Sequence, residues 1–323
     1  MKKTLMLFAL AFAAMAVHAQ DDAYVYTTDF STSDGVAKNG EQIVGGGQFV
    51  ATDDETAIFK TYFQNVSNSP RQNYCLLPED VLAHAATTKE LTIAFWVSAE
   101  GFTPNQYTYS PLFTAYAQKS SPNSWPMLAL QSRGPMQINL NGWCDFTGAQ
   151  HVNGKVNIYN KNAWEANDAS FNFVENWLED QLWHYYTAVL TETNVKIYLD
   201  GVVKNEWNVD GVSEGQIISG LFTSGSELKY VCLGGNQAWD WNDGDAPFRF
   251  ARLLIKNSAM TAEDIKAQIK ADFSPLDFDD YITGIKTVQT SPTNATIYNI
   301  VGQQQNGLQK GLNIVEGKKV YVK

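Results

Sequence analysis

The fold is decided by the stretch Leu182–Trp207, which reads LWHYYTAVLTETNVKIYLDGVVKNEW. Its first half, Tyr185–Leu190, is rich in the aromatic and β-branched residues that favour strands. Val195–Leu199 then alternates apolar with more polar residues, so that apolar groups gather on one face of a strand. Asp200-Gly201 is typical of a two-residue hairpin turn. A long hairpin with one apolar face needs a second sheet to cover it, so the stretch predicts an antiparallel β-sandwich.

Similar strand-like runs recur along the chain and are separated by Gly, Asn, Ser and Pro. They are Tyr24–Thr28, Ala57–Tyr62, Tyr74–Leu77, Leu91–Ser98, Pro111–Tyr116, Met127–Gln131, Met136–Leu140, Lys229–Leu233 and Phe248–Ile255. One helix is expected, because Thr261 can cap it and Ile265 and Ile269 fall on one face. The strand pattern stops between Gly142 and Gln181, in a long polar and aromatic insertion of a kind that is uncommon unless functional or disordered.

The N-terminus has the three parts of a secretory signal peptide. Lys2-Lys3 is the positive start, Leu5–Val17 the apolar run, and Val17-His18-Ala19 the small-residue cleavage pattern. The apolar run is shorter than the roughly 20 residues that span a bilayer, and no later segment predicts a transmembrane helix. We therefore expect an exported protein, extracellular or on the outer-membrane surface, with a mature chain that begins near Gln20.

Charge separates the chain into a body and a tail. The chain has 23 basic and 34 acidic residues, and its net charge of −11 becomes −13 without Lys2 and Lys3. A surface of this sign repels nucleic acid and anionic membranes, so neither is an expected partner. Gly284–Lys323 instead contains five lysines and one glutamate. We therefore divide the chain into a signal peptide (1–19), one sandwich domain (20–278) and a C-terminal β tail (279–323).

The three cysteines are too few for a disulfide framework. One pair can form among Cys75, Cys144 and Cys232 and would leave one thiol. Cys75 and Cys232 lie in apolar strand-like runs, where a buried and unreactive thiol is the simpler interpretation. The sequence leaves the disulfide state of all three open.

Six motifs occur in the order of a known family. They are YCLLP (Tyr74–Pro78), LTIAFWV (Leu91–Val97), Trp183-His184, IYLDG (Ile197–Gly201), LGGN (Leu233–Asn236) and MTAEDI (Met260–Ile265). In this order they resemble the laminin-G-like, concanavalin A-like jelly roll, over about Asp21–Pro275. The resemblance implies an all-β, antiparallel two-sheet jelly-roll sandwich with one short helix. The chain departs from the family at Phe250–Leu254, where an acidic residue is usual, so no cation-binding role is carried over from that strand.

The last forty residues resemble a different family. Ala295–Gly302, Lys310–Val315 and Gly317–Lys323 are similar to the short C-terminal sorting tail of proteins secreted by the type IX system. The resemblance implies a small three-strand unit that engages outer-membrane secretion machinery and is then cut off or anchored. The alternative is an accessory β-module packed on the sandwich.

Catalytic patterns are weak in this sequence. Glycoside hydrolysis needs two carboxylates that flank the scissile bond, and the Glu-x-Asp-x-Glu run of the retaining glucanases that share this fold is absent. The nearest pair, Glu175 and Glu179, is more simply an acidic loop. Gly211–Gly215 spells a nucleophile elbow but lacks the strand before it and the helix after it. The three histidines of the predicted mature chain show no zinc-ligand spacing. The enzyme question stays open, and the pattern favours a protein without catalysis.

The segment Trp239–Asp245, WDWNDGD, offers a possible calcium site. Asp240, Asp243 and Asp245 supply hard carboxylate oxygens on a short loop with the permissive Gly244, and Ca²⁺ uses such ligands. Turn formation by Asp and Asn explains the same residues. Calcium is therefore a prediction that the sequence leaves open.

Tryptophans in polar loop sequence predict the ligand site. Large rings kept near water often contact a partner, and a sugar ring presents a C–H face that stacks on indole. The predicted ligand-binding residues are Trp143, Trp164, Trp239, Trp241 and Asn242. The alternative is that these rings cover the core beneath long loops. Trp96 and Trp183 lie in strand-like sequence and are expected in the core.

The sequence therefore favours an exported, non-catalytic carbohydrate-binding or adhesion protein. A glycoside hydrolase of the concanavalin A-like fold is the first alternative, and a surface adhesin that binds protein is the second. Binding without release of reducing ends separates the first interpretation from the hydrolase. A screen against matrix proteins tests the adhesin.

Overall fold

The fold was described from a computed structural model of the chain. The described residues are 24–66, 73–99, 110–116, 128–132, 137–138, 151–152, 155–156, 177–178, 180–208, 217–222, 228–235, 246–273, 278–283, 286–287, 297–299, 302–315 and 318–322. The predicted signal peptide, 1–19, lies outside them. No helix in these ranges is long and apolar enough to cross a membrane.

The larger sheet of the sandwich contains eight strands within the described residues. They are β1 (Val25–Thr28), β5 (Gln48–Ala51), β6 (Thr61–Gln64), β8 (Leu91–Ser98), β14 (His184–Leu190), β15 (Asn194–Leu199), β16 (Val202–Asn208) and β18 (Arg249–Lys256). Their order is β16-β15-β14-β8-β18-β6-β5, and β1 also pairs with β18.

The smaller sheet contains six strands in the order β11-β10-β9-β17-β7-β4. These are β4 (Gln42–Val44), β7 (Tyr74–Leu76), β9 (Pro111–Tyr116), β10 (Leu128–Gln131), β11 (Gln137–Ile138) and β17 (Tyr230–Leu233). Two short hairpins stand apart from both sheets: β2 (Thr32–Ser33) with β3 (Val36–Ala37), and β12 (His151–Val152) with β13 (Lys155–Val156).

The inner faces of the two sheets meet in one apolar core. Phe95 and Tyr186 of the larger sheet are fully buried and stack with ring centroids 5.3 Å apart. Phe113 and Leu233 of the smaller sheet belong to the same buried cluster. All strand pairs described within these two sheets are antiparallel. The predicted all-β, antiparallel jelly-roll sandwich is therefore confirmed.

A second apolar cluster covers the outer face of the larger sheet. The predicted helix is the longest helix described, Ala262–Asp272, and it begins with a capping box between Thr261 and Asp264. Its buried side chains, Ile265 and Ile269, pack beside Trp96. The structure adds three helices of four to six residues, which are too short to leave a periodic pattern. In chain order the helices are α1 (Ala85–Thr88), α2 (Ile217–Leu221), α3 (Ala262–Asp272) and α4 (Phe278–Thr283).

Trp96 and Trp183 are buried as expected, but in the outer cluster rather than between the sheets. The indole Nε1 of Trp96 donates a 2.7 Å hydrogen bond to Oδ2 of Asp272 at the end of α3. Burial raises the pKa of Asp272, although hydrogen bonds from Trp96 and Gln268 lower it in part. The helix is thus held by aromatic packing and by one half-buried carboxylate.

Cys75 and Cys232 are fully buried on neighbouring strands. In the register of β7 and β17, Cys75 lies opposite Leu233 and Cys232 lies opposite Leu76. Cys75 belongs to the core between the sheets, whereas Cys232 packs with Tyr74 and Tyr116 on the other face. Because side chains on opposite faces of a sheet cannot reach each other, these two thiols cannot form a disulfide. Burial raises the pKa of the Cys75 thiol well above its ordinary value. Cys144 lies outside the described residues.

The C-terminal residues form a separate sheet of five strands rather than three. The strands are β19 (Lys286–Thr287), β20 (Ile297–Asn299), β21 (Gln304–Gln305), β22 (Gly311–Val315) and β23 (Lys318–Val322). Their order is β19-β23-β22-β20-β21, and β22 pairs antiparallel with β23, which follows it in the chain. The additional strands β19 and β21 are only two residues long. Runs of that length carry no strand pattern in the sequence.

Candidate functional site at one end of the sandwich

The predicted site residues all fall outside the residues that the structure describes. They are the ligand residues Trp143, Trp164, Trp239, Trp241 and Asn242 and the calcium ligands Asp240, Asp243 and Asp245. Glu175 and Glu179 and the segment 211–215 also lie outside. The structure therefore shows the site through the residues that flank these segments.

The register of the larger sheet places several strand ends together. Val97, near the end of β8, lies opposite His184, the first residue of β14. Arg249, the first residue of β18, lies opposite both Ser98 and Gln64. The last residues of β6 and β8 therefore share one end of the sheet with the first residues of β14 and β18. We call this end of the sandwich the loop end.

The smaller sheet has the corresponding ends at the same place. Leu233, which ends β17, lies between Phe113 near the start of β9 and Cys75 in β7. The side chain of Asn65, directly after β6, donates hydrogen bonds to the carbonyls of Gly234 and Asn73. Because β6 belongs to the larger sheet and Gly234 follows a strand of the smaller one, both sheets contribute to the loop end.

Three of the longer chain connections begin and end at the loop end. They join Val66 to Asn73, Ala99 to Ser110, and Gly235 to Ala246. The third contains the predicted segment Trp239–Asp245. The long insertion differs, because Ile138 lies opposite Leu128 at the far end of β10, whereas the chain is again at the loop end at Trp177. Both flanks of segment 236–245 therefore lie at the loop end. Of the insertion that contains Trp143 and Trp164, only the C-terminal flank lies there.

Asn65 is the residue that holds both flanks of segment 236–245. Its backbone N–H donates a 2.9 Å hydrogen bond to the carbonyl of Phe248, just before β18. Its side-chain Nδ2 donates to the carbonyl of Gly234, just after β17. Asn65 is buried, and its Oδ1 has no hydrogen-bond partner among the described residues. One side chain and its own backbone thus fix the two points from which the segment extends.

Two glycines allow this close approach. Gly234 has a φ of +81°, and its N–H donates a 2.8 Å hydrogen bond to the carbonyl of Leu112. A Cβ on Gly235 would lie 2.0 Å from the carbonyl oxygen of Asn73, which no real side chain tolerates. The LGG part of the LGGN motif is therefore required by backbone contact at the loop end.

A second polar cluster lies at the loop end around His184. Its Nδ1 is 2.8 Å from Oδ2 of Asp200, and its Nε2 is 3.0 Å from Oδ1 of Asp180. Burial alone would lower the pKa of His184, but hydrogen bonds to Asp200 and Asp180 and their negative charges raise it above its ordinary value. Because the carboxylates occupy opposite nitrogens of one ring, they cannot converge on a common ion.

The described residues include no group of three or more His, Cys, Asp or Glu side chains arranged to hold a metal ion. The calcium prediction rests on Asp240, Asp243 and Asp245 and stays a prediction. The described part of the loop end provides a base of buried asparagines, two constrained glycines and a histidine in contact with two carboxylates. Binding residues often lie on loops that a rigid scaffold holds in place.

Sequence reasoning missed both clusters. Asp200 was interpreted only as a turn residue, although it also accepts a hydrogen bond from the backbone N–H of Tyr185. The spacing of Asp180 and His184, four residues apart, could have suggested a contact. Asn65 and Asn73 gave no signal, because their approach to Gly234 depends on how the two sheets are stacked.

Comparison with known proteins gives matches among solved structures. No protein-family model matches the chain, and a search of curated proteins also gave no match. A structure of botulinum neurotoxin type C, whose cell entry depends on interaction with two ganglioside molecules, is 13% identical with a TM-score of 0.44. The binding domain of botulinum neurotoxin DC in complex with rat synaptotagmin II is 12% identical with a TM-score of 0.42. Both matches cover 85% of this chain, which spans 60% and 57% of the two toxin chains.

Another match is domain 4 of a GH43 extracellular arabinanase from Geobacillus stearothermophilus, in complex with arabinotriose. It is 17% identical, covers 71% of this chain and 87% of its own, and has a TM-score of 0.39. Likenesses at this level carry no information about the ligand of this chain.

Proposed function

We propose that this protein is an exported, non-catalytic carbohydrate-binding protein whose binding surface is the loop end of the sandwich. The observation that supports it is the double anchoring of segment 236–245 by Asn65, through Gly234 on one side and Phe248 on the other. That segment contains Trp239, Trp241 and Asn242. Binding loops held on a rigid sandwich are a common way to present ligand contacts.

The chemistry of the segment suits a neutral or weakly charged glycan. The indoles of Trp239 and Trp241 supply flat apolar faces for sugar rings, and Asn242 can both donate to and accept from hydroxyl groups. The acidic balance of the chain disfavours polyanionic ligands. In this proposal Trp143 and Trp164 extend the same surface, and Asp240, Asp243 and Asp245 hold Ca²⁺ that stiffens the segment.

The test compares tryptophans from two connections whose flanking residues lie at opposite ends of the sandwich. Trp241→Ala should abolish or strongly weaken binding on a glycan array and in calorimetry, with little change in Tm. Trp125→Ala is the matched control, because its connection joins Tyr116 to Leu128 at the far end of β9 and β10, where Leu128 lies opposite Ala115. Equal loss of binding in both variants, or no binding of any glycan by the intact protein, would contradict the proposal.

The same experiment separates binding from hydrolysis. Bound oligosaccharides are expected to be recovered intact, without new reducing ends. Release of reducing ends that Glu179→Ala abolishes would replace the proposal with a glycoside hydrolase. Binding to matrix proteins but to no glycan would replace it with a protein-binding adhesin.

The tail is proposed to serve secretion. We infer that 279–323 is a sorting tail, on the basis of its separate five-stranded sheet and its excess of lysines over acidic residues. Its partner would be secretion machinery of the outer membrane, and the mature sandwich would then act outside the cell.

A further inference from the structure

The imidazole of His184 lies between two carboxylates in a buried position. Its side chain is 6% exposed, with Asp200 on Nδ1 and Asp180 on Nε2. An ionised carboxylate only accepts hydrogen bonds, and a neutral imidazole has one N–H to donate. Both short contacts are therefore satisfied together only by the doubly protonated imidazolium. The side chain of Asp180 is 47% exposed, so solvent reaches the carboxylate that contacts the ring.

The surroundings of the ring contain no competing cation among the described residues. Trp177 packs an edge against the imidazole, with ring centroids 5.5 Å apart. The electrostatic partners of His184 are Asp200, from the hairpin turn between β15 and β16, and Asp180, from the turn before β14. The β8 residue paired with His184 in register is the apolar Val97.

The two carboxylates are themselves fixed by the backbone. Asp180 Oδ1 accepts a 2.9 Å hydrogen bond from the N–H of Leu182, and Asp200 Oδ1 accepts a 2.8 Å bond from the N–H of Tyr185. The neighbouring Trp177 donates a 2.7 Å hydrogen bond from Nε1 to the carbonyl of Ser132, just after β10. His184 therefore stands where the returning chain, the hairpin turn and the end of β10 meet.

We propose that the imidazolium of His184 is an ionic lock that fixes residues 180–182 against the Asp200-Gly201 turn, and that its deprotonation as the pH rises loosens the loop end. His184 is thus a positioning residue. The consequence for glycan affinity rests on the proposed function, whereas the lock itself does not. The lock makes the stability of this end of the sandwich, and ligand binding there, decrease as the pH rises.

The direction of the pH dependence follows from the linkage between protonation of His184 and folding. Burial opposes the charged ring, but Asp200 and Asp180 outweigh it and raise the pKa of His184 in the folded protein. A histidine with a raised pKa contributes stability that is complete below its unfolded pKa, about 6.5. That contribution is lost as the pH rises through the higher folded pKa. The lock therefore opens as the pH rises above the ordinary pKa of histidine.

The direct test is NMR of the full chain labelled with ¹⁵N-histidine. The ring of His184 should carry protons on both nitrogens at pH 7 and lose one only at higher pH. A His184→Gln variant assigns its signal. His84→Gln is the matched control, because that exposed ring stacks on Tyr24 and has no carboxylate on either nitrogen among the described contacts. A neutral His184 at pH 7 would overturn the proposal.

Asp180→Asn tests the lock without removing the buried ring. The variant keeps a side-chain oxygen for Leu182 but removes one charge, so it should lower the pKa of His184. Between pH 6.5 and 9, Tm should decrease more in the wild type and in His84→Gln than in Asp180→Asn or His184→Gln. Identical pH profiles in wild type and Asp180→Asn would overturn the lock, even if His184→Gln failed to fold.

Glycan affinity provides the functional measurement. From pH 6.5 to 9 the wild type should lose about fivefold or more in affinity, the lower range of coupling between linked sites. Asp180→Asn should lose less. The protonated signature of His184 without binding of any glycan supports the lock but contradicts the proposed function. Glycan binding by a protein whose His184 lacks that signature supports the proposed function but contradicts the lock.

Discussion

The side-chain amide of Asn65 donates a hydrogen bond to the carbonyl of Gly234, and this contact joins the end of a strand in one sheet to the end of a strand in the other. The same amide nitrogen lies 3.1 Å from the carbonyl of Asn73. Two carbonyls from the smaller sheet are thus satisfied by a single donor group from the larger one. The loop end depends on a donor at this position.

Asn65→Asp should therefore be strongly destabilising, although it hardly changes the volume. It replaces the donor with a carboxylate oxygen that faces two carbonyls, so the expected loss is about 1–3 kcal/mol of unfolding free energy or more. Asn306→Asp is the matched control at an exposed turn. Chemical denaturation measures both variants, and equal stability would show that the amide is replaceable.

Trp96→Ala should remove the centre of the outer aromatic cluster. The ring is fully buried and packs against Phe59, Tyr185 and Phe273. Loss of so large a core side chain should cost about 3–5 kcal/mol. Trp241→Ala is the comparison in the same assay and should change Tm little. A small loss of stability in Trp96→Ala and a large loss in Trp241→Ala would contradict the assignment of Trp96 to the core and of Trp241 to the binding surface.

Gly235→Ala should disturb the loop end through a single methyl group. Its Cβ would lie 2.0 Å from the carbonyl of Asn73, so the backbone must move and we expect a loss of about 1–3 kcal/mol. Gly307→Ala is the control, because a Cβ there meets nothing within 4 Å. Thermal unfolding measures both. Wild-type Tm in Gly235→Ala would contradict the contact.

Calcium binding predicts a stability that depends on the ion. If Asp240, Asp243 and Asp245 hold Ca²⁺, a chelator should lower Tm, and excess calcium should restore it by mass action. Asp243→Ala should have the Tm of the chelator-treated protein, both with chelator and with excess calcium. The same Tm with and without chelator would remove calcium from the proposal while leaving glycan binding to be tested separately.

The sorting proposal concerns delivery rather than folding. Deletion of 284–323 should leave the protein in the periplasm with the sandwich folded, as judged by protease resistance. A variant with Lys318 and Lys319 changed to Ala, which keeps the tail, tests whether charge or the tail itself is required. Normal surface delivery of the truncated chain would dismiss the sorting role.

Local chemistry made the hairpin and the helix predictable. Asp200 and Gly201 have φ values of +55° and +74°, as their turn requires, and Val202 lies opposite Leu199. Thr261 caps α3 as its spacing indicates. In both the hairpin turn and the helix start, the residues that decide the structure are neighbours in sequence. The irregular register at Ile197 and Tyr198 had no such local signal.

The candidate site was harder to predict because its contacts join distant residues. His184 meets Asp200 only because β14 and β15 pair, and Asn65 reaches Gly234, 169 residues away, only because the sheets stack. Tryptophans in polar sequence predicted which segments to consider. The pairing of strands then showed that the flanks of 236–245 converge, which composition does not reveal.

The back-to-back thiols of Cys75 and Cys232 give the sandwich two internal probes. One is shielded by the space between the sheets and the other by the aromatic layer outside the smaller sheet. Their alkylation rates in mild denaturant would therefore report separately on parting of the two sheets and on peeling of the outer layer. The protein thus carries, without any engineered cysteine, a way to learn which side of that sheet opens first.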